Sequence, residues 1–598
     1  MLISLLIFLL ISNAVTIKRD KSILFSRIVI KSLLFTSFLA YSNLYIKPLE
    51  KGIGIYGGLF NITTFTQTFN IFILLISATI LVLTAFYPRN VYIKEHSSIY
   101  SLLFNKLSYN KNIISNKTGE QFRIIEYALV IVFILCGALF LISTGDLISV
   151  FLSIELQSYG LYILSTLYRD SESATASGLT YFLLGGLSSC FILLGSALLY
   201  ANSGTTNLDN IYVISSISEL SNIPLYKLEE INGSYFFNGG SQEIVYGNIT
   251  NLYKPYYLHI SLIIMLVGFL FKVSAAPFHF WSPDVYDGIP TIVTTYVAII
   301  AKISIFAFLL ELIYHTEFYL FNFNSGNDNN ILKNIFILSS LFSLVIGSVL
   351  GLTQSRIKRL YAYSTISHVG FILLALSINT TESIQSYIFY ILQYSISNLN
   401  AFIILVTIGF SLYLYVYKDN KTSIYSTLNE ADVNNSPIQL VNQIKGYFYI
   451  NPFIAISLAI TLFSFVGIPP IIGFFAKQMI LSAALDNGYV FMSLVAILTS
   501  VIGAAYYLNL IKQIFFFKDS YNKNPAILNK NLVSYIVSYV RGNNSNNNVI
   551  KFNPDNIIIS GSLSSTISII TMLLLLFIYV PGEWFNIVNI LTLIIFRI

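Results

Sequence analysis

Residues 463–478 read FSFVGIPPIIGFFAKQ, an apolar run that holds Gly467, the pair Pro469-Pro470, Gly473 and then a single basic residue, Lys477. The apolar stretch around it, 452–486, is too long for one straight crossing of a hydrocarbon core, which takes ~20 residues of helix. Proline removes an intrahelical hydrogen bond and clashes with the turn before it. In lipid such a break persists where neighbouring helices or a wet cavity take up the freed backbone groups. The stretch reads as an interrupted transmembrane helix, with Lys477 held inside protein just beyond the break. A packing kink is the plainer reading of the same prolines.

Moving outward, a second interruption lies in 257–282, where Lys272 precedes Pro277 within KVSAAPFH. A paired break of this kind is what an internal inverted repeat predicts. Scanning the chain at membrane width gives about fourteen spans: 1–17, 24–46, 68–87, 123–143, 146–168, 177–201, 257–282, 290–314, 331–353, 359–378, 385–417, 452–486, 489–517 and 559–580. The tail 584–598 reads as a further half-helix or an interfacial segment. The runs are continuously apolar and do not alternate, which argues against a barrel. The expected fold class is therefore an all-α polytopic membrane protein, interrupted at its seventh and twelfth spans.

Composition agrees. The 598 residues are 55% hydrophobic and 10% charged, with mean hydropathy +0.73. Soluble domains carry nearer ~25% charge, so a soluble enzyme, a nucleic-acid-binding module and a disordered tail are all excluded. Cys136 and Cys190 both lie in apolar runs. They supply neither a disulfide framework nor the ligand spacing of a zinc or iron–sulfur site. The first run lacks a basic leader and is followed by Lys18, Arg19 and Lys21. A cleaved signal peptide has the opposite charge order, so this run reads as a retained crossing.

The basic residues orient the chain. Of the 33 Lys and Arg, 21 fall in odd-numbered loops, among them Arg89, Lys94, Lys106, Lys111, Lys117, Arg356, Lys358, Arg359, Lys523 and Arg541. Six lie in even loops and the tails, and six within spans. Basic loops stay on the side from which the protein is inserted. The odd loops are thus expected on that side and both termini on the other. Loop 202–256 is net negative through Asp209, Glu219, Glu229, Glu230 and Glu243, which sharpens the contrast.

An ionisable group at mid-membrane costs roughly 2.5–3.5 kcal/mol on insertion scales, so it marks a functional interior by default. Glu155, Lys272, Lys302 and Lys477 sit away from their span ends. Arg27 and Lys512 lie close enough to an end for their stems to reach the interface. Burial lowers the pKa of a lysine and a nearby carboxylate restores it. A lysine whose pairing with a glutamate is made and broken can therefore load and release a proton. Three lysines with one acid look more like a charge-transfer line than a substrate cavity.

Spans four to eight and nine to thirteen form two units of five, and an odd count inverts the second. The fourth member of each is the broken helix with its lysine. The second members carry Glu155 and His368, which suggests a relay role for a histidine that would otherwise read as a packing residue. His279, beside Trp281, is an accessory candidate. These units set the expected divisions: 1–122, 123–315, 316–518 and 519–598.

Some signals fail on context. Gly52-Ile-Gly54-Ile-Tyr56-Gly57 matches a dinucleotide-binding pattern but has no βαβ unit around it, so it reads as a turn. The glycosylation-type matches at Asn61, Asn116, Asn232 and Asn248 are expected by chance in an Asn-rich chain. Residues 541–556 read as a polar linker. The abundance of Phe, Tyr, Ile, Asn and Lys, all with AT-rich codons, hints at an AT-rich organellar genome.

The strings SIELQSYGLYIL (153–164), SGLTYFLLGGLSSCFILLG (177–195), KVSAAPFHFWSPDVYDGIPT (272–291), RLYAYSTISHVGFILLA (359–375) and FSFVGIPPIIGFFAKQ (463–478) resemble the antiporter-like, proton-pumping subunits of respiratory complex I. The resemblance extends over nearly all of the helical core. It implies that Glu155 corresponds to the family's fifth-helix glutamate and Lys272 to the lysine of the broken seventh helix. Lys302 corresponds to the eighth-helix lysine, Lys477 to the terminal residue of the broken twelfth helix, and His368 to the tenth-helix histidine segment. It further implies proton transfer as the task and other membrane-arm subunits and lipid as partners, with no nucleic acid. Flavin and iron–sulfur clusters are expected in partner subunits and none in this chain. The mitochondrial inner membrane is the expected location, with the basic face toward the matrix. Lys477 argues against the family member with glutamate at that site, and the short tail against the one with a long lateral helix. Loops 202–256, 418–450 and 518–558 are long for the family. A stand-alone cation/proton antiporter component and a purely scaffolding membrane subunit are the alternatives.

Overall fold

The structure, a computed structural model, describes residues 1–15, 22–50, 52–85, 89–91, 126–167, 171–220, 255–317, 331–412, 415–417, 438–517, 521–523, 557–559 and 561–596. Outside them lie the linker 541–556, Asn116, Asn232 and Asn248. The loop charges Lys18, Arg19, Lys21, Lys94, Lys106, Lys111, Lys117, Arg541, Glu229, Glu230 and Glu243 also fall there.

In chain order the helices are α1 (Leu2–Val15), α2 (Ser22–Asn43), α3 (Thr64–Ala85), α4 (Glu126–Ile142), α5 (Leu147–Thr166), α6 (Glu172–Ser203), α7 (Leu208–Leu220), α8 (Pro255–Val273) and α9 (Trp281–Gly288). Helix α10 starts at Thr291–Thr295, passes through a π-helical turn at Tyr296–Ile300 and continues over Ala301–Glu317. Then come α11 (Ile331–Leu352), α12 (Ile357–Ile378), α13 (Thr381–Leu412), α14 (Pro452–Val466), α15 (Ile472–Asp486), α16 (Val490–Phe515), α17 (Gly561–Leu576) and α18 (Pro581–Phe596). Among the described residues, ten helices are long and apolar enough to cross a membrane, and α1, α4, α8, α14 and α18 hold shorter apolar segments. The tail is thus helical. The head of loop 202–256 holds a helix, α7, that its polar composition did not signal.

Six three-residue strands form two-stranded antiparallel pairs: β1 (Ile53–Ile55) with β2 (Phe60–Ile62), β3 (Arg89–Val91) with β6 (Ile557–Ile559), and β4 (Tyr415–Tyr417) with β5 (Tyr521–Lys523). The glycine pattern at 52–57 lies in the first of these. Gly52, Gly57 and Gly58 take positive φ there, as glycine alone does freely. The hairpin braces the α4–α5 corner, with the Asn61 amide donating to Ser143 and the Gly145 amide to Leu59.

Helix ends follow local chemistry. Asp146 caps α5 by accepting from the Ile148 amide, and Asn451 caps α14 from Ile454, with Pro452 in the first turn. Gly467 closes α14 at φ +84. In lipid, helices gain little from burying apolar surface and associate through close packing at small residues. Gly137 of α4 lies where a Cβ would come within 2.6 Å of the Gln157 amide and 2.9 Å of the Ser153 carbonyl on α5. Gly347 of α11 stands in the same relation to Ser367 and Tyr363 on α12, at 2.6 and 2.9 Å.

The same order of packing occurs twice. Within α4–α10 the first helix packs on the second, the second on the third, the third on both halves of the interrupted fourth, and the first on the fifth. Helices α11–α16 repeat that order, with α14 and α15 as the interrupted pair. The glycine contacts set the register: Gly137 matches Gly347, and the cap residue Asp146 matches Arg356. Both caps bridge to the chain beyond the third helix, at Asn207 and Leu440. This register places Glu155 opposite Thr365, and His368 opposite Ser158. The sequence expectation that set His368 opposite Glu155 is therefore off by one turn, because spacing alone does not reveal where two helices cross.

Candidate functional site

Both interruptions are present, and each puts its lysine beside broken backbone. Helix α8 ends at Val273, four residues before Pro277, so Lys272 is the penultimate residue of a half-helix and not the middle of a continuous one. Ser274 follows at φ +63, a left-handed conformation that disfavours any residue with a Cβ by roughly 1–2 kcal/mol. In the second unit α14 stops at Val466, and Lys477 on α15 reaches back across the gap. Its Nζ donates to the Phe465 and Val466 carbonyls, both at 2.8 Å. These are last-turn carbonyls that the helix itself leaves unsatisfied, at the end of the dipole that favours a cation.

The charged side chains expected from the sequence lie in a row, and hydroxyl groups bond Lys272, Lys302 and His368 within it. Glu155 and Tyr162 lie two turns apart on α5. Lys272 Nζ donates to the Tyr162 hydroxyl at 3.3 Å. Glu155 Oε1 is buried with no hydrogen-bond partner, and among the described residues no ion pair joins it to Lys272. The pair is thus in an open arrangement, with Tyr162 occupying the lysine. Two residues on, Ser274 accepts from Lys302 Nζ at 3.1 Å, and Thr365 of α12 accepts from the same atom at 3.3 Å. Lys302 is 1% exposed and is the second residue after the π-turn of α10. Its row crosses there from the first unit into the second.

Three residues beyond Thr365 comes His368, 3% exposed, with Nδ1 2.7 Å from the Tyr390 hydroxyl and Nε2 buried without a partner. Its ring lies 5.4 Å from that of Phe465, whose carbonyl accepts from Lys477. The half-buried Glu155 and Lys477 therefore stand at the ends of the row, and Lys302 and His368 at its buried centre. His279 is only half-buried, with Nδ1 unpartnered, and is not among these contacts.

The linking groups Tyr162, Ser274, Thr365 and Tyr390 were not singled out by the sequence. Tyr162 follows Glu155 by seven residues and Thr365 precedes His368 by three, so each shares a helix face with a suspect residue, which was the available signal. Glycine makes room for Tyr162: a Cβ on Gly185 would collide with its hydroxyl. Lys358, counted among the loop charges, is instead 1% exposed inside α12 and donates to the Ile289 carbonyl at 2.6 Å. Beside it Arg356 pairs with Asp287 at 2.5 Å and Arg359 with Asp284, tying α9 to the start of α12.

A helical membrane bundle with two interrupted helices and a buried row of lysines defines a class that the comparisons specify. Residues 144–503 match the family model described as NADH:quinone oxidoreductase/Mrp antiporter, TM. Over 578 residues the chain is 42% identical to NADH-ubiquinone oxidoreductase chain 2 of Rhizopus oryzae, covering 97% of this chain and 96% of that one. The chain belongs to the NADH-ubiquinone oxidoreductase chain 2 family. Its fold is shared more widely. A chain of respiratory complex I from Thermus thermophilus superposes with TM-score 0.61 at 21% identity, covering 98% of this chain and 99% of that one. A chain of the Mrp complex from Dietzia sp. gives 0.66 at 16% identity, over 99% and 95%. The fold therefore does not distinguish a respiratory subunit from an antiporter component, whereas sequence identity does.

Proposed function

We propose that this chain translocates protons as a membrane-arm subunit of NADH:ubiquinone oxidoreductase in the mitochondrial inner membrane. The observation that carries the reading is the row from Tyr162–Lys272 through Ser274–Lys302–Thr365 and His368 to Lys477. A buried ion needs partners that satisfy its hydrogen bonds. Here those partners are hydroxyls and helix-end carbonyls, which stabilise an ammonium without fixing it against a permanent counter-charge. Such a charge is free to move.

In the proposed cycle, Glu155 and Lys272 close or open in response to a neighbouring subunit. Closing draws Nζ from the Tyr162 hydroxyl onto the carboxylate. Lys272 then exchanges a proton with Lys302, and Lys302 with Lys477 by way of His368. Each charge gained or lost alters the proton affinity of the next group, which couples the steps. The architecture that goes with this is about fourteen crossings, built as two inverted five-helix units (123–315 and 316–518) between flanking segments 1–122 and 519–598. The basic loops face the matrix and both termini the other side. Redox chemistry resides in partner subunits that carry the flavin and iron–sulfur clusters; this chain supplies the proton path.

Native gel electrophoresis with in-gel NADH oxidation tests the assignment. The chain is expected to migrate in a large assembly that stains for NADH oxidation. Migration in a small cation-exchange assembly without that activity would transfer the chain to the antiporter alternative. Within the assembled complex, Tyr162→Phe removes one partner of a charged donor, worth about 1.5–3 kcal/mol. Turnover coupled to proton movement is expected to fall about tenfold or more. An unchanged rate and proton yield would reduce Tyr162 to a packing role.

A further inference from the structure

A cavity of about 270 Å³ opens between the ends of α11 and α16, the start of α12 and the short turn Val441–Ile444. It lies apart from the row of lysines. Gln354, Asn442, Asn509 and Gln513 line it with amides, none of its lining residues is charged, and on α16 the exposed Ala505 and the buried Tyr506 complete its wall. Gln513 Oε1 is buried there without a partner. At ~30 Å³ per molecule the volume holds about nine waters. An anionic lipid headgroup calls for Lys or Arg, and the lining has neither.

The lining follows α16 from Gln513, near its end, past the exposed Asn509 to the exposed Ala505. Ala505 lies about 15 Å in from Phe515, the end of α16, at 1.5 Å per residue. By the same measure His368 lies about 16 Å in from Ile357, the start of α12. Segment 439–446 ties these two ends to one face, since the Ile357 amide donates to Gln439 and the Gly446 amide to Gln513. Ala505 and His368 are therefore at matching depth along their helices. Between them, the Tyr506 and Tyr507 rings are 4.4 Å apart, and the buried Tyr507 hydroxyl lacks a partner. Ser367 faces Tyr506 and Ser364 faces Tyr507. Tyr390 lies within electrostatic reach of Tyr506 and Tyr507, and its hydroxyl is 2.7 Å from His368 Nδ1.

We propose that this cavity is a hydrated vestibule that passes protons to His368 through the hydroxyls of Tyr506, Tyr507 and Tyr390, an entrance into the row from the side of loop 353–356. In each hop a hydronium or hydroxyl gives its proton to the next oxygen, which releases its own proton onward. One proton moves along, the three hydroxyls end as they began, and His368 ends protonated at Nδ1 until it passes a proton on along the row. The proposal rests on the proton-carrying reading above and adds a route to it.

The test uses assembled complex with Asn509→Cys in a Cys190→Ser background and a cationic, membrane-impermeant methanethiosulfonate, with modification read on this chain by mass spectrometry. The expected result is labelling from the side of loop 353–356 only, with Val501→Cys, which is 65% exposed on the apolar face of α16, left unlabelled. Labelling is expected to remove at least half of the proton yield per NADH or of the rate. Tyr507→Phe, which leaves the mouth intact, is expected to slow turnover at least fivefold. An Asn509→Cys that reacts only after lipid is stripped by detergent would overturn the vestibule and point to a lipid occupant. Complete labelling with rate and yield unchanged would overturn the delivery route. If the unmodified assembly moves no protons, the proton-carrying reading itself falls and the delivery step with it, and labelling then reports only whether the cavity is wet.

Discussion

Lys302→Ala is expected to reduce proton-coupled quinone reduction at least tenfold, equivalent to about 1.4 kcal/mol or more, with the complex still assembled. Lys302 is where the row crosses between the two units, and its Nζ is the single atom that bonds both Ser274 and Thr365. Thr365 also donates to the Ala362 carbonyl at 2.8 Å, so one of the two hydroxyls keeps a partner after the change and the local helix persists. Lys302→Met separates charge from volume, because it fills most of the same space. Both variants are expected to lose proton yield together. Lys302→Arg keeps a cation but replaces a compact ammonium with a planar fork that holds its proton above neutral pH, so it is expected to assemble as well but not to restore turnover. Unchanged proton yield per NADH in the Ala and Met variants would leave the lysine as scaffold, the third reading of the sequence.

Gly473→Ala is expected to prevent stable assembly. A Cβ at Gly473 would overlap the carbonyl oxygen of Ser464, a backbone atom that cannot turn aside. Overpacking commonly costs about 1–3 kcal/mol, and relief here requires moving α15 away from α14. That movement also takes Lys477 from the Phe465 and Val466 carbonyls. Ser464 is further held by Gln393 and Ser397 of α13, at 3.1 and 3.0 Å, so the strain reaches a third helix. The abundance of the chain in the native assembly is the measurement. By contrast, Gly186→Ala, where a Cβ meets nothing within 4 Å, is expected to assemble normally. Equal abundance for the two variants would mean that the gap at 467–471 yields more easily than its contacts indicate.

Much of the fold was legible because its signals are local. Proline and glycine at 467–473 stop a helix wherever they stand, and the structure breaks there. Apolar length located most helices to within a few residues, apart from α7, the early end of α8 at Val273 and the short α9. The π-turn at Tyr296–Ile300 was not legible. The run TIVTTYVAIIAKIS contains neither proline nor glycine, and the widened turn goes with Tyr394 of α13 donating to the Ala298 carbonyl at 3.2 Å, a contact made by a residue 96 positions away.

The candidate site divides along the same line. Glu155, Lys272, Lys302, His368 and Lys477 stood out because a charge or an imidazole in an apolar run is conspicuous in any sequence. Their partners did not stand out, since serine, threonine and tyrosine are common and only proximity gives them a role. Lys358 shows the opposite case, a residue that reads as a loop charge and ends inside a helix bonded to a carbonyl.

From its sequence alone this chain was bound to be a helical membrane protein interrupted at two places, with a few ionisable groups held away from lipid. Those outcomes follow from transfer free energy and backbone geometry, which act over a turn or two of chain. Only the tertiary structure decided that Tyr162 holds Lys272 away from Glu155, that Lys302 joins the two units, and that His368 lies one turn off the position of Glu155. These depend on where helices cross, and the crossing is set by a few glycines meeting backbone on helices whose spacing along the chain does not fix their spacing in the bilayer.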